Sequence, residues 1–496
     1  MSSQVDGGVA VLGKESVAGK VRSGLMWSAI RNWGGRLVGF VIYFQLVRLL
    51  EPASIGAFAA AFAVFSFLEL FVDQGLGDAI VQRPDVTQGQ LNTVFLVNFL
   101  LSLVVVACIW LLAPLIEHAM KIPGLVSILQ IGSLSLLINA LGFCQLALFR
   151  RDFQFKRLAM RGLVSTIAGG VAGVVLASLG FGVWALVAQL LVAAVVNLAM
   201  LWWRSRWYPS RQLDFTGLGQ MSRFGLNILG VRVIEFGAYR VLDLAVGFWM
   251  GVVALGMYSV GSKLYYIFAQ LLASVLLDVA MPAFSRIAGD RVRLREAYYQ
   301  AVSLTVFFAV PVWILVAVLS PEMCHVAFGA RWAGSEHILF PLALVGAVLS
   351  TQYYDSTILN ASGKPSHSLM LSSVKALAVL ISIWFTHHYS LQVIVQGYVL
   401  ALLVPMPLSF WLTRSALGLS LPALLKRIMP FALAVLVMAA GVVLLKEPCA
   451  SMPALMALLF KGSVGVLLYV ATLWLFARQR LLTVLSTVRS MKRGAA

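Results

Sequence analysis

Apolar runs of 20 or more residues recur from one end of this chain to the other, and they constrain its fold more than any other feature. A helix of that length crosses a hydrocarbon core of about 30 Å. Hydrophobic residues make up 61% of the 496 residues and charged residues 11%, whereas roughly a quarter of an ordinary soluble domain is charged. Because lipid offers no hydrogen-bond partners to the backbone, such runs must be helical. The sequence therefore predicts an all-α, polytopic membrane protein.

Turns and charge clusters divide the apolar sequence into about fourteen predicted transmembrane helices. The predicted spans are 24–50, 53–82, 90–116, 124–149, 158–179, 181–203, 222–249, 252–282, 297–320, 337–360, 366–386, 390–413, 424–445 and 452–477. The first 22 residues have neither an apolar core nor a cleavage site. We expect them to form a short soluble tail rather than a signal peptide.

The distribution of Lys and Arg predicts how the chain crosses the membrane. Of the 37 basic residues, 26 fall in the two tails and in alternate connecting segments, four fall on the opposite side, and seven lie inside spans. The positive-inside rule then places both termini in the cytoplasm. The net charge of +18 is therefore attributed to topology and to contact with anionic lipid headgroups, and nucleic acid is not an expected partner.

A weak internal repeat relates the two halves of the chain. Residues 49–58 align with 249–258, which pairs Gly56 with Gly256. Chance similarity between apolar helices is the alternative. A real repeat predicts two pseudo-symmetric six-helix lobes followed by two C-terminal helices. The predicted parts are an N-terminal tail (1–22), a first lobe (23–203), a basic cytoplasmic linker (204–221), a second lobe (222–413), the added helices (414–478) and a basic tail (479–496).

Ionisable side chains inside predicted spans are candidate functional residues, because a charge in hydrocarbon costs roughly 2.5–3.5 kcal/mol. The seventh span carries a polar stripe at helical spacing, formed by Arg232, Glu235, Tyr239 and Asp243. Counted from the turn at 251–252, Arg240 and Lys263 lie at equal depth, about 17 Å from the turn. Two cations at one depth require an anion. It can be an acid of the same stripe or a bound phosphate, which arginine holds with two parallel hydrogen bonds.

The hypothesis is a cationic cavity for an anionic headgroup, lined by Arg36, Arg232, Arg240 and Lys263. The alternative is an internal network in which neighbouring acids neutralise these cations. Coupling or gating roles are expected for Arg31, Glu69, Asp73, Glu235, Asp243 and Asp355. By depth, Arg36 matches Glu69 and Arg31 matches Asp73, so ion pairs within one hairpin are again the alternative.

Three further features complete the set of expectations. Asp78 is expected in the cytoplasmic interface, and Lys461 is expected either to reach the membrane surface or to line the cavity. The four cysteines lack paired spacing, so neither a disulfide framework nor a metal site is predicted. No cofactor is expected apart from a possible coupling ion, H⁺ or Na⁺.

Several motifs in a fixed order resemble one family of transporters. They are LVRLLEPASIG (46–56), DQGLG (73–77) continuing to VQRP (81–84), RRDFQF (150–155), GFGVWALV (180–187), GMYS (256–259), PAFSR (282–286) and GARW (329–332). The chain resembles the Wzx-type polysaccharide flippases, especially the WzxC-like branch of the multidrug/oligosaccharidyl-lipid/polysaccharide (MOP) exporter superfamily. The resemblance covers roughly residues 24–365, and the last three spans match only in hydropathy.

The resemblance implies a MATE- and MurJ-like fold with two lobes around a cavity that opens alternately to either side. It implies a non-enzymatic flippase in the bacterial inner membrane that moves undecaprenyl-pyrophosphate-linked oligosaccharide for exopolysaccharide, capsule or O-antigen assembly. A polysaccharide polymerase and co-polymerase are implied partners. A cation-coupled multidrug (MATE-like) exporter and a membrane enzyme acting on lipid-linked sugars are the alternatives. An acid-rich cavity would favour the exporter, and a large catalytic loop would favour the enzyme.

Overall fold

The computed structural model describes residues 35, 37–73, 76–82, 86–203, 205, 207–216, 218–287, 290–361 and 365–494. Its helices are α1 (Leu37–Leu49), α2 (Pro52–Asp73), α3 (Leu76–Gln82), α4 (Gln88–Met120), α5 (Leu125–Leu141), α6 (Phe143–Arg151), α7 (Phe155–Ser178), α8 (Val183–Trp202), α9 (Leu218–Arg286), α10 (Arg291–Val318), α11 (Ser320–Phe328), α12 (Glu336–Ser350), α13 (Asp355–Ala361), α14 (Pro365–Thr386), α15 (Leu391–Leu403), α16 (Met406–Leu417), α17 (Leu421–Leu444) and α18 (Ala454–Gly494), with a 3₁₀ turn at Ala330–Trp332. No strand occurs within these ranges, which confirms the all-α prediction.

Eleven helices in the described part of the chain are long and apolar enough to cross a membrane. The number rises to twelve if α5 and α6, which meet at an angle of 45°, form one span. The chain is therefore a multi-pass membrane protein. The number of fourteen transmembrane helices stays a prediction. In the described residues α1 is shorter than a full span, and the single helix α9 contains both the seventh and the eighth predicted span.

Helix α9 reverses direction at Gly251. This residue has φ 84° and ψ −179°, a conformation that glycine adopts without a steric penalty. Asp243 and Tyr266 interact electrostatically across the break, although a straight helix would separate them by about 34 Å. The two halves of α9 therefore form a hairpin, with its turn where the sequence predicts one.

Contacts divide the chain into two compact units, which are Met1–Ser54 with Ala61–Ile234, and Ile55–Ala60 with Glu235–Ala496. Within the second unit, Gly56 lies against the second half of α9, where an added Cβ would stand 2.9 Å from the backbone nitrogen of Gly256. These two glycines are the pair aligned in the predicted repeat. The six-helix lobes and their bounds stay a prediction, since the units are defined by contacts and the lobes by topology.

Small residues allow helices to approach closely in both units. In the first unit, α7 packs on α8 so tightly that a Cβ on Gly169 would lie 2.8 Å from the Cβ of Ala193. In the second unit, Gly346 of α12 lies against the fully buried ring of Trp313 on α10. Such close contacts stabilise helix pairs where lipid supplies no hydrophobic driving force.

The two C-terminal helices belong to the second unit. Phe307 of α10 packs on Phe431 of α17, with ring centroids 5.6 Å apart. The hydroxyl of Tyr469 on α18 donates a hydrogen bond to the carbonyl oxygen of Phe307, at 2.8 Å. The added helices are thus fixed to α10 by a buried aromatic core.

Residues 207–216, part of the predicted linker, run along the start of α4. The buried Asn92 side chain donates to the hydroxyl of Ser210 and to the carbonyl oxygen of Gln212, both at 2.7 Å. Its own carbonyl oxygen accepts from the backbone nitrogen of Ser210 at 3.1 Å. This segment therefore belongs to the first unit, and the linker bounds 204–221 stay a prediction.

Asp214 fastens the end of the same segment. Its carboxylate accepts hydrogen bonds from the hydroxyl and backbone nitrogen of Thr216, and from the hydroxyl of Thr87. The bonds from Thr216, and then that from Thr87, hold the pKa of Asp214 below its ordinary value. The resulting stabilisation is present above the unfolded pKa of about 3.9 and is lost as the pH falls through the lower folded pKa.

Candidate functional site

The second unit contains a cluster of opposite charges on the α9 hairpin. Arg240 and Asp243 lie one turn apart, and the guanidinium donates to the carboxylate at 2.7 Å. Lys263, on the other half of the hairpin, is half-buried and close enough to Arg240 for their charges to repel. The structure therefore brings together the two cations that the sequence places at equal depth.

Tyrosines surround this cluster. Tyr258 and Tyr266 interact electrostatically with Asp243, and Tyr398 of α15 lies close to Tyr258. Sequence reasoning used Tyr258 only as part of a family motif and missed Tyr266 and Tyr398. The sequence pattern that indicates Tyr258 and Tyr266 was present. Tyr258, Ser262 and Tyr266 are spaced four residues apart, on one helical face next to Lys263. The position of Tyr398 depends on the tertiary fold.

The described part of the cluster holds two cations and one carboxylate. Asp243 lies with Arg240 and Lys263. Both arginine and lysine bind phosphate oxygens, arginine through its planar fork and lysine as a point charge. The arrangement can therefore accept an anionic group beside an internal ion pair. Glu235 was expected to contribute here, but its side chain lies outside the described part of the structure.

Asp355 forms a second buried polar site in the same unit. Its carboxylate accepts hydrogen bonds from the hydroxyls of Tyr298, at 2.9 Å, and Ser409, at 2.5 Å. The hydroxyls of Thr305 and Tyr354 pair alongside at 2.8 Å. Within the described residues, Asp355 thus has neutral partners. Sequence reasoning selected Asp355 but missed Tyr298 and Ser409, which come from helices distant along the chain.

The first unit pairs two residues for which the sequence predicted different roles. Arg232, expected in the cationic cavity, donates to Asp78 at 2.9 Å. Asp78 was expected only in the membrane interface. Both side chains are about one-third exposed or more. Arg232 in the seventh predicted span therefore contacts α3 in the first unit, whereas Arg240 belongs to the second unit.

The remaining predicted residues of the first unit are only partly described. Glu69 is exposed on α2. Arg31 and Arg36 lie outside the described residues, and so does the side chain of Asp73. The expected pairs Arg36–Glu69 and Arg31–Asp73 therefore stay predictions, as do the coupling roles assigned to them.

Lys461 forms a buried ion pair. Its ammonium donates to Glu322 at 2.6 Å, and the two side chains are 6% and 16% exposed. The pair joins α18 to α11. The sequence predicts that Lys461 reaches the membrane surface or lines the cavity. Its charge is instead neutralised by Glu322 within the second unit, so its role is structural.

Removing one partner of this pair is expected to destabilise the second unit. Lys461→Met leaves the Glu322 carboxylate buried without its cation, which costs about 3–5 kcal/mol. Lys461→Met combined with Glu322→Leu is expected to recover most of that loss, because no unpaired charge remains. Unfolding of the purified chain in detergent measures both variants. A double variant no more stable than the single variant would contradict the assignment.

The fold is that of transporters of the MOP superfamily. The lipid II flippase MurJ, in an inward closed conformation, superposes with a TM-score of 0.74 over 92% of this chain and 100% of that chain, at 14% identity. An inward-facing multidrug resistance MATE family transporter of the MOP superfamily gives a TM-score of 0.59 over 78% of this chain and 95% of that chain, at 18% identity. At such identities the likeness concerns the fold alone.

Residues 45–337 match the family described as polysaccharide biosynthesis protein, and the chain belongs to that family. The succinoglycan biosynthesis transport protein ExoT of Rhizobium meliloti is 28% identical over 65% of this chain and 66%, just under two thirds, of that protein. The teichuronic acid biosynthesis protein TuaB of Bacillus subtilis is 23% identical over 92% of this chain and 95% of that protein. The lipopolysaccharide biosynthesis protein WzxC of Escherichia coli is 23% identical over 73% of this chain and 71% of that protein. The resemblance noted from the motifs is thereby confirmed.

Proposed function

We propose that this protein is a flippase that moves undecaprenyl-pyrophosphate-linked oligosaccharide across the cytoplasmic membrane by alternating access. The substrate would serve exopolysaccharide, capsule or O-antigen assembly. Support comes from the family, from the names of ExoT and WzxC, and from the fold shared with the lipid II flippase MurJ. These relatives are transport and biosynthesis proteins, which favours a transporter over an enzyme.

The observation that carries the proposal is the approach of two cations, Arg240 and Lys263, on the α9 hairpin. A pyrophosphate brings negative charge that Arg240 and Lys263 can neutralise at the depth where charge is most costly. The sugar is polar and needs the protein, whereas the polyprenyl tail can remain in the bilayer. The ion pair with Asp243 holds Arg240 in position.

Transport against a gradient requires a coupling ion, and Asp355 is the proposed proton carrier. Among the described residues, the carboxylate of Asp355 is bonded to neutral hydroxyls, so it can gain or lose a proton without breaking an ion pair. Each elementary charge moved through 100 mV contributes about 2.3 kcal/mol. Na⁺ coupling is the alternative, and the response to each ion gradient separates the two.

We place the protein in the bacterial inner membrane with both termini in the cytoplasm, as the distribution of Lys and Arg favours. A polysaccharide polymerase and co-polymerase would then act on its product at the outer face. A cation-coupled exporter of drugs is the competing function, since MATE transporters share the fold. The two cations described at the candidate site, Arg240 and Lys263, disfavour cationic substrates.

Reconstitution of the full chain in proteoliposomes tests the proposal. Lipid-linked oligosaccharide is expected to reach the opposite leaflet, and a proton gradient is expected to accelerate the movement. Accessibility of the sugar to an externally added lectin or glycosidase measures translocation. Efflux of a cationic dye without sugar translocation would instead establish the exporter function.

A further inference from the structure

Arginines line two adjoining open grooves in the second unit, where α10 begins and α16 ends. One groove of about 550 Å³ is lined by Trp411, Arg414, Ser415, Gly418 and Leu419. The other, of about 340 Å³, is lined by Arg291, Val292, Arg295, Ser415, Leu417 and Gly418. Because both grooves share Ser415 and Gly418, they form one continuous feature, which we call the arginine groove.

The backbone of the groove is held in place by its own residues. Arg291 donates to the carbonyl oxygens of Ala416, at 2.6 Å, and Ser415, at 3.1 Å, and so caps the end of α16. Gly418 ends that helix with φ 69°. An added Cβ there would have the guanidinium of Arg295, at 3.9 Å, as its nearest neighbour. The glycine therefore leaves open the space in front of Arg295.

The acids closest to the groove are already paired. Asp290, the N-cap of α10, binds Arg293 at 3.2 Å. Glu296 holds Arg427 through two hydrogen bonds, of 2.7 and 2.9 Å. Each carboxylate therefore holds an arginine that does not line the groove, although the charge of Arg295 also acts on Glu296.

The guanidinium groups of Arg295 and Arg414 make no hydrogen bond or ion pair with any described residue. Each guanidinium carries five N–H donors in a planar arrangement that matches two oxygens of a phosphate. Two such groups around one groove, with Arg291 beside them, create a site of positive charge with unused donors. An anion of phosphate geometry fits this chemistry.

An apolar surface adjoins the groove. Trp411, one helical turn before Arg414, is 61% exposed. The next helix, α17, presents an exposed apolar stripe at helical spacing, formed by Leu421, Leu425, Met429, Leu433 and Leu436. A free anion would need only the arginines, whereas a lipid would use both the arginines and the stripe.

We propose that the arginine groove binds the phosphate group of an anionic membrane phospholipid, with Arg295 and Arg414 as the ligands and the acyl chains along α17. The three arginines of the groove lie between the predicted spans 252–282 and 297–320 and between 390–413 and 424–445, and the positive-inside rule predicts that both connections are cytoplasmic. Basic pockets between transmembrane helices on that side suit anionic headgroups. The site is separate from Arg240 and Lys263, so the proposal is independent of the transported substrate.

Thermal unfolding of the detergent-purified full chain, titrated with lipid, tests the site. Phosphatidylglycerol is expected to raise the unfolding midpoint saturably, while phosphatidylcholine and inorganic phosphate at equal concentration leave it unchanged. Arg295→Gln combined with Arg414→Gln is expected to require about tenfold more phosphatidylglycerol, because charge-assisted hydrogen bonds are lost. Ser415→Phe, which fills the groove and keeps every arginine, is expected to weaken the response similarly.

The matched control is Arg150→Gln with Arg211→Gln, which removes two exposed charges outside the groove. It is expected to respond to phosphatidylglycerol like the unmodified chain. An equal loss in the control would assign the effect to net charge and overturn the proposal. An equal response to inorganic phosphate would make the groove a free-anion site and overturn the lipid assignment. A wild-type response from Ser415→Phe would show that no ligand occupies the groove.

Discussion

Replacing Arg240 and Lys263 together by glutamine is expected to reduce translocation of lipid-linked oligosaccharide by about a hundredfold or more. Each residue would lose a charge-assisted hydrogen bond to the pyrophosphate, and such bonds contribute about 1.5–3 kcal/mol apiece. The loss should be larger than the loss from removing two surface charges, because a charge inside the membrane is costly unless it is paired. Initial rates in proteoliposomes, with equal amounts of inserted protein, give the measurement.

Two companion variants make this result specific. Arg240→Lys with Lys263→Arg keeps two cations and changes only their shapes, so partial activity is expected. Arg331→Gln with Lys446→Gln removes two cations outside the cluster, and full activity is expected. If the double glutamine variant transports the substrate at the wild-type rate, the cluster is an internal network and the pyrophosphate site lies elsewhere.

Asp355→Asn is expected to uncouple transport from the proton gradient. Asparagine resembles the protonated acid but cannot release a proton, so the substrate should equilibrate without being driven. One charge moved through 100 mV supports a concentration ratio of about fiftyfold, and the variant should lose that ratio. The steady-state distribution of substrate between the two leaflets, with and without a gradient, measures the effect.

The control for this experiment is Asp152→Asn, which neutralises an exposed carboxylate in the first unit. It should retain gradient-driven accumulation. Asp355→Asn is expected to fold, because the hydroxyls of Tyr298 and Ser409 can still bond to the amide. Size-exclusion chromatography of both variants distinguishes uncoupling from loss of folding. Undiminished accumulation by a folded Asp355→Asn variant would remove Asp355 from the coupling pathway.

Much of the fold could be predicted from the sequence, because lipid imposes a simple rule on long apolar runs. Every apolar run satisfies its backbone hydrogen bonds internally, so hydropathy alone places the helices. The turn at Gly251 was also predictable, since a polar stripe ends before it and another charged helix starts after it. The break at Gly142 was not, because no proline or charge marks the bend between α5 and α6.

The site was predictable in part. Depth counting brought Arg240 and Lys263 together because it needs only the helical rise and one turn position. It could not select the partner of Arg232, since Asp78 lies on a short separate helix whose position depends on tertiary packing. The hydroxyl partners of Asp355 were missed for the same reason. Tyr298 and Ser409 lie far from Asp355 along the chain.

The single-residue turn at Gly251 has a consequence for how tolerant the charged hairpin is to length. Each added residue rotates a helix by about 100° and shifts it by about 1.5 Å. One residue inserted after Gly251 would rotate the second half of α9, so that Lys263 no longer faced Arg240. Every side chain of the cluster would still be present. The distance along the chain between the two cations is therefore as much a part of the site as their charges.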